Sequence, residues 1–315
     1  MGSAPHYSVM LPEVLSAMAP ADGEVYVDGT LGAGGYTQAF LDQADCTVVA
    51  IDRDEAALAI AKERLKDYEG RVYFVHGRFA DVASHLAQLG FARVDGFVVD
   101  LGVSSMQLDQ ADRGFSFRFD GPLDMRMDQS GEGQTAADVV NTYDETDIAN
   151  IIYKYGEERK SRHVARAIVS RRAERPFERT SDLADVVRGA IFSSPKDKID
   201  PATRTFQGLR IYVNRELEEL EKALDASVGI LSPGGRLVVV SFHSLEDRIV
   251  KHFLLDRSGQ RSRGSRHMPD LTPDEPAVFS LPSKKAVFPS DDEVADNARS
   301  RSARLRYAIR TEAAI

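Results

Sequence analysis

Cysteine is almost missing from this chain of 315 residues: Cys46 is the only one. A single thiol excludes a disulfide framework and a cysteine-rich zinc fold. Long apolar runs are missing as well, since none approaches the roughly 18 residues a membrane helix needs. Residues 1–10 lack the basic-then-apolar order of a secretory signal, and no Ser or Thr stands at position 6 to complete a myristoylation pattern. The expectation is a soluble, cytoplasmic protein with no membrane attachment. There is no G-x-S-x-G nucleophile turn and no P-loop. What is present is an ordinary globular balance, 43% hydrophobic and 28% charged. The length suits one large domain or two small ones.

An excess of positive charge is also missing. Lys plus Arg number 40 against 49 Asp plus Glu, a formal net charge of −9. That argues against a generic nucleic-acid coat, which is basic overall. The charge is uneven, however. Residues 154–210 hold 14 basic and 8 acidic side chains, a local excess of 6. Arg257, Arg261, Arg263 and Arg266 form a second basic cluster, and Arg299, Arg301, Arg304, Arg306 and Arg310 a third. On charge alone, solvated surface is the simpler reading and a polyanion site the sharper one.

The first hundred residues alternate short apolar runs with helical patterns. Strands are expected at Glu24–Val27, Thr47–Ile51, Arg71–Val75 and Gly96–Val99. Helices are expected at Tyr36–Gln43, Glu55–Tyr68 (with Asp54 as N-cap) and Ala80–Leu89. Strand and helix in alternation predict right-handed crossovers and a parallel sheet. The alternation stops after Asp100. Residues 101–143 have no clear period, and 144–231 are helical. There Phe206, Leu209, Val213, Leu217, Leu220, Leu224 and Val228 step by three or four and predict one helix about 45 Å long. Strand character returns at Arg236–Ser241, with further candidates at Ala277–Ser280, Ala286–Phe288 and Leu305–Arg310. A helical segment thus interrupts an α/β domain between its fourth and fifth strands. Gly259–Pro276 reads as a mobile polar loop.

The chemistry gathers at strand ends. The first strand runs into Asp28-Gly29-Thr30-Leu31-Gly32-Ala33-Gly34-Gly35, where glycine permits a tight turn and the following helix offers free N–H groups. The second ends at Asp52, where a carboxylate can accept hydrogen bonds from ribose hydroxyls. Gly29, Gly32 and Gly34 give G-x-x-G-x-G rather than the dinucleotide order G-x-G-x-x-G, which points to a nucleoside cofactor and away from nicotinamide chemistry. Phe79 follows the third strand, either against an adenine ring or as a core aromatic. The fourth strand ends at Asp100, followed by Ser104 and Ser105, whose oxygens can accept hydrogens from a substrate amine. The fifth ends at Phe242, suited to stacking on a base (about 1–3 kcal/mol), and His243, a donor or base. No metal is expected: Asp120, Asp124 and Asp128 match no calcium loop, and His243 and His252 have no zinc-type spacing.

Several segments are long and specific: Asp28-Gly29-Thr30, Asp52-Arg53-Asp54, Asp100 to Ser105, Arg113-Gly114-Phe115-Ser116-Phe117, Gly121 to Asp128, Ala202 to Gln207 and Ser241 to Arg248. Together they resemble the bacterial ribosomal RNA small subunit methyltransferase H (MraW) family, over nearly the whole chain from His6 to about Arg310. The resemblance implies a class I S-adenosylmethionine-dependent methyltransferase, a Rossmann-like and mostly parallel α/β sheet with an inserted helical domain. Residues 1–108 and 214–315 would form the methyltransferase domain and 109–213 the insert. It implies S-adenosylmethionine as donor and methylation of the exocyclic N4 amine of a cytidine in the decoding region of 16S ribosomal RNA, in the assembled small subunit. The implied cofactor contacts are Gly34, Gly35, Tyr36, Asp52, Phe79, Asp100 and Gln107. Tyr36 stands where the family often has His, and Met106 where many members have Pro.

For methyl transfer to an amine, the catalytic candidates are Asp100, Ser104 and Ser105, with His243 second, because acceptors of the amine hydrogens localise its lone pair. Phe115, Arg126, Arg204 and Phe242 are the expected substrate contacts, with insert cations on phosphates. Methylation at ring carbon 5 would need a cysteine nucleophile, and Cys46 begins the second strand, at the wrong edge. DNA or a metabolite as acceptor, and a non-catalytic ribosome-assembly factor, are the alternatives. The residues leave monomer or homodimer open.

Overall fold

In a computed structural model, residues 8–131, 133–191, 199–260 and 276–313 are described. Most of the Gly259–Pro276 loop, with Arg261, Arg263 and Arg266, lies outside them, as do Lys196 and Lys198 of the basic stretch. The chain divides into two compact units, residues 1–102 with 217–315 and residues 103–216. The junctions expected from sequence, at 108/109 and 213/214, fall a few residues away.

The first unit opens with α1 (Leu11–Met18), β1 (Val25–Asp28), α2 (Gly35–Gln43), β2 (Thr47–Asp52), α3 (Glu55–Arg64), β3 (Val72–His76), α4 (Val82–Leu89) and β4 (Val94–Asp100). Asp54 caps α3 by accepting a hydrogen bond from Ala56 N–H at 3.1 Å. The inserted unit holds α5 (Ser105–Asp109), α6 (Ala136–Thr142), α7 (Glu145–Gly156), α8 (Ser161–Arg172), α9 (Thr180–Ala190) and α10 (Ala202–Asn214). The chain returns through α11 (Glu216–Ile230), β5 (Leu231–Ser241), α12 (Ser244–Arg257), β6 (Phe279–Ser280), α13 (Asp291–Asp296) and β7 (Arg304–Arg310). Ala286–Phe288 contributes an isolated bridge, Val287 opposite Leu305, rather than a strand.

The seven strands lie in the order β3-β2-β1-β4-β5-β7-β6. β1 to β5 are parallel, while β7 runs antiparallel to β5 and to β6. Burial on both faces explains the continuous apolar runs. In β2, Val49 and Ile51 enter one apolar cluster with Phe97, Val99 and Val239, while Val48 and Ala50 enter another with Tyr26, Val98 and Val238. The period of two divides each strand between the two layers of helices.

The inserted unit has its own core, built from Val139, Ile148, Ile152, Val164, Ile168, Leu183, Phe206 and Leu209 among others. Here one expectation is corrected. The single long helix over 206–228 is two helices, α10 and α11, broken at Arg215, which is left-handed at φ 52°. Asn214 explains the stop. Its buried side chain donates to Met125 O (2.7 Å) and Arg210 O (2.9 Å) and accepts from Met127 N–H (2.8 Å). Those bonds tie the end of α10 to the 121–128 loop, and the unit boundary falls two residues later.

Candidate active site

The carboxyl ends of β1, β2, β4 and β5 carry the acidic and aromatic groups picked out above. Asp28, at the end of β1, is fully buried. Its oxygens accept from Thr37 Oγ1 (2.8 Å) and Thr30 N–H (3.2 Å). Burial pushes its pKa up to about 6, although both of these hydrogen bonds act to lower it. Thr30 Oγ1 in turn accepts from Asp100 N–H at 2.7 Å, which joins the glycine loop to the tip of β4. Gly34 caps α2 in the left-handed region, φ 83°, a conformation glycine adopts without steric cost. The first amides of α2 therefore lack intrahelical acceptors and face the loop.

Asp52, at the end of β2, accepts from Gly32 N–H (2.7 Å) and Asp54 N–H (2.8 Å). Burial raises its pKa against the pull of those two donors. Beyond β2 and β3, buried Glu219 lies 3.2 Å from Arg53 and 3.3 Å from Arg78, bracing both strand ends. Asp100 differs from the other two acids. Its Oδ1 is buried and, among the described residues, has no hydrogen-bond partner. Burial, and then the charges of Asp28, Glu246 and Glu293, hold its pKa well above the ordinary carboxylate range.

After β5, Glu246 Oε2 accepts from the backbone N–H groups of Phe242 (2.9 Å) and His243 (3.2 Å). His243 Nδ1 accepts from Glu246 N–H at 3.4 Å, and its Nε2 lies 3.0 Å from Glu246 Oε1 without hydrogen-bond alignment. The ring closes the N-terminus of α12 through Nδ1.

In the inserted unit, Ser104 and Gln107 form a reciprocal capping box on α5. Ser104 Oγ accepts from Gln107 N–H (3.2 Å), and Gln107 Oε1 accepts from Ser104 N–H (3.1 Å). The loop 121–128 is held by buried Arg113, which donates to Met127 O at 2.7 Å, as well as by Asn214. Asp124 receives Arg126 Nε (2.8 Å) and Nη2 (2.9 Å) in a two-pronged pair. Burial would raise the Asp124 pKa, but Arg126 outweighs it and the carboxyl sits below its usual range.

With this geometry in place, the relatives decide the family. The sequence profile of the MraW methylase family matches residues 3–311. The chain belongs to the MraW methylase family. It is similar to proteins named ribosomal RNA small subunit methyltransferase H. The one from Rhodospirillum rubrum is 57% identical over 312 residues, 98% of this chain and 95% of the relative. The one from Parvibaculum lavamentivorans is 54% identical over 311 residues, 99% and 91% of the two chains. A third, from Rhodopseudomonas palustris, is 56% identical over 308 residues, 98% and 91%. This MraW family member is an S-adenosylmethionine-dependent methyltransferase with the class I fold.

The edge of the sheet fits that cofactor. Asp52 keeps a second lone pair on each oxygen for ribose hydroxyls, and Gly34, Gly35 and the first amides of α2 offer donors. The Tyr36 side chain is buried, with its hydroxyl donating to Val9 O, so only its backbone is placed to serve the loop. Phe79 is 9% exposed and packs in the core beside Gly29. Phe242 is half-buried behind Gly102.

Phe115 is 6% exposed, with the Arg113 guanidinium 5.8 Å from its ring centre. Arg126 is committed to Asp124 and Gly131 O. Arg204 is exposed, 3.6 Å from Glu158. The Ser105 side chain lies outside what is described. Sequence reasoning missed Asn214, Arg113 and Glu219, whose partners are remote or whose burial no spacing announces. It missed the Ser104–Gln107 box although S-x-x-Q is a local signature.

Proposed function

We propose that this enzyme transfers the methyl group of S-adenosylmethionine to the exocyclic N4 amine of a cytidine in the decoding region of 16S ribosomal RNA, in the cytoplasm, on the small ribosomal subunit. The relatives' shared name supports small-subunit ribosomal RNA as the acceptor. The observation that carries the chemistry is the buried, unpartnered Oδ1 of Asp100 at the end of β4.

When bound, S-adenosylmethionine supplies a methyl carbon on a sulfonium, and sulfur takes the bonding pair as the new N–C bond forms. The cytosine amine is a weak nucleophile, because its lone pair is spread into the ring. Asp100 Oδ1 accepts one amine hydrogen, localises the lone pair and takes up the proton as nitrogen becomes cationic. A carboxylate whose pKa is raised by burial is a stronger base for that proton than an ordinary one. Backbone anchoring through Thr30 holds it in place.

The test uses small subunits from cells lacking this activity, labelled S-adenosylmethionine and nucleoside analysis of the digested RNA. Labelled N4-methylcytidine is expected. Asp100→Asn should bind the cofactor and lose about 10²-fold or more in turnover. In the parent enzyme, turnover should fall as pH drops through a value above the usual carboxylate range, and the variant should lose that limb. Label on another atom, or full turnover by the variant, would overturn the assignment.

A further inference from the structure

The basic excess of the inserted unit is not spread evenly once its partners are known. Residues 159–173 contain six Arg and Lys and no acid. Two of the six are used inside the unit. Arg171 lies 3.7 Å from Asp182, and Arg172 donates to Val140 O at 2.7 Å. Further along, Arg175 pairs with Asp182, Arg179 with Asp120, Arg188 with Asp200 and Arg210 with Glu216. Six of the fourteen cations of residues 154–210 are thus engaged inside the unit.

The other four residues behave differently. Arg159, Lys160 and Arg162 are exposed and, among the described residues, have no ion-pair or hydrogen-bonding side-chain partner. Arg166, one helical turn after Arg162, is 73% exposed and reaches only Glu145, at 3.7 Å. The nearest acids in sequence are Glu157, at the end of α7, and Glu158, which is buried and accepts from Lys160 N–H at 2.7 Å. The four cations occupy the turn before α8 and its first two turns, within about 10 Å along the axis, and Arg159, Arg162 and Arg166, spaced by three and four, fall on one face. They also stand at the positive end of the helix dipole, which adds to their mutual repulsion instead of offsetting it. An anionic partner with repeated charges relieves both.

We infer that Arg159, Lys160, Arg162 and Arg166 form a phosphate-binding ridge that grips the sugar–phosphate backbone of the RNA substrate. The inference rests on the RNA reading above and adds to it a surface of the inserted unit, built from residues other than the strand-end groups of methyl transfer. RNA is favoured over an acidic protein because the ridge has no apolar component of its own, whereas protein interfaces concentrate apolar and aromatic anchors at their centre.

The test measures binding of the full chain to small ribosomal subunits and to protein-free 16S RNA over a range of salt concentrations. The comparison is between the parent and R159Q/K160Q/R162Q. Removing one cation from a phosphate should flatten the slope of log affinity against log salt by about 0.7, so the triple variant should be shallower by about 2 on both ligands. The single variant Arg162→Gln should show about one third of that. Cofactor affinity should be unchanged. An unchanged slope overturns the ridge. So does a change seen with subunits and absent with protein-free RNA, because it would assign the ridge to a ribosomal protein. If the parent methylates no RNA yet the slopes differ as stated, the reaction assignment fails and the ridge stands.

Discussion

Asp28 is the most enclosed carboxyl at the end of the sheet, and it has a measurable consequence for stability. The folded chain holds a proton there up to about pH 6, against an ordinary value of 3.8. Between those values the native state binds more protons than the unfolded chain, so stability falls as pH rises through the window and stays lower above it. The difference corresponds to roughly 3 kcal/mol. Asp28→Asn keeps an acceptor for Thr30 N–H and gives Thr37 Oγ1 a donor in place of its acceptor. Relative to the parent it should gain up to about 3 kcal/mol between pH 4 and pH 7, read from urea unfolding at both pH values. An equal gap at the two would rule the idea out.

The acids at strand ends were legible because the carboxyl-edge rule needs only the strand boundaries. What each carboxyl does was not, because that depends on donors from other elements. Asp28 and Asp100 look alike in sequence, yet one accepts a hydrogen bond on each oxygen and the other retains a bare oxygen. His243, Gln107 and Arg126 stand within three residues of the partner that engages each of them. For these three, spacing alone was enough to anticipate the local contact.

Among the elements, α7 and α10 meet through Gly156 and Gly208. A Cβ on Gly156 would lie 2.3 Å from Arg204 O, and one on Gly208 would lie 3.0 Å from Gly156 N. Both obstacles are backbone, which cannot swing aside. Gly156→Ala should therefore destabilise the inserted unit by about 1–3 kcal/mol through forced separation of the helices. Thermal unfolding followed by circular dichroism checks this, and a neutral effect would mean that the helices slide freely. The break between α10 and α11 was invisible to periodicity for a related reason. The apolar steps Leu209, Val213, Leu217 and Leu220 continue in phase across Arg215, so only the remote bonds of Asn214 reveal the stop.

Across the whole molecule, strand–helix alternation and its interruption were enough to anticipate a parallel sheet with a helical insert. The junctions differ from the expected ones by six and three residues. The basic clusters were less legible. Arg304 and Arg306 of the third cluster pair with Asp247 at 2.9 and 2.7 Å, and Arg310 donates to backbone carbonyls, so that cluster is largely structural. Among the described residues no helix is long and apolar enough to cross a membrane. With a separate apolar core in each unit, Leu209→Ala should cost about 2–5 kcal/mol and appear as faster hydrogen exchange in α7 and α10. The amides of β2 should keep their protection. Uniform loss through β2 and β4 would show a single cooperative unit instead.

The division of the sheet unit by its insert also governs the order of events during synthesis. β4 pairs with β1 and β5, yet β5 follows the whole inserted unit in the chain. At translation rates of about 5–20 residues per second, the outer edge of β4 is made on the order of ten seconds before its partner. Phe97, Val98 and Val99 stand on that edge strand, open to other chains while they wait. The start of α1 waits longer still, since Met10 N–H is fixed by Glu293, 283 residues away. A nascent chain of this enzyme thus passes through a stage in which a helical unit can be finished while the catalytic half is still an exposed half-sheet, and that is the stage at which a chaperone would have to act.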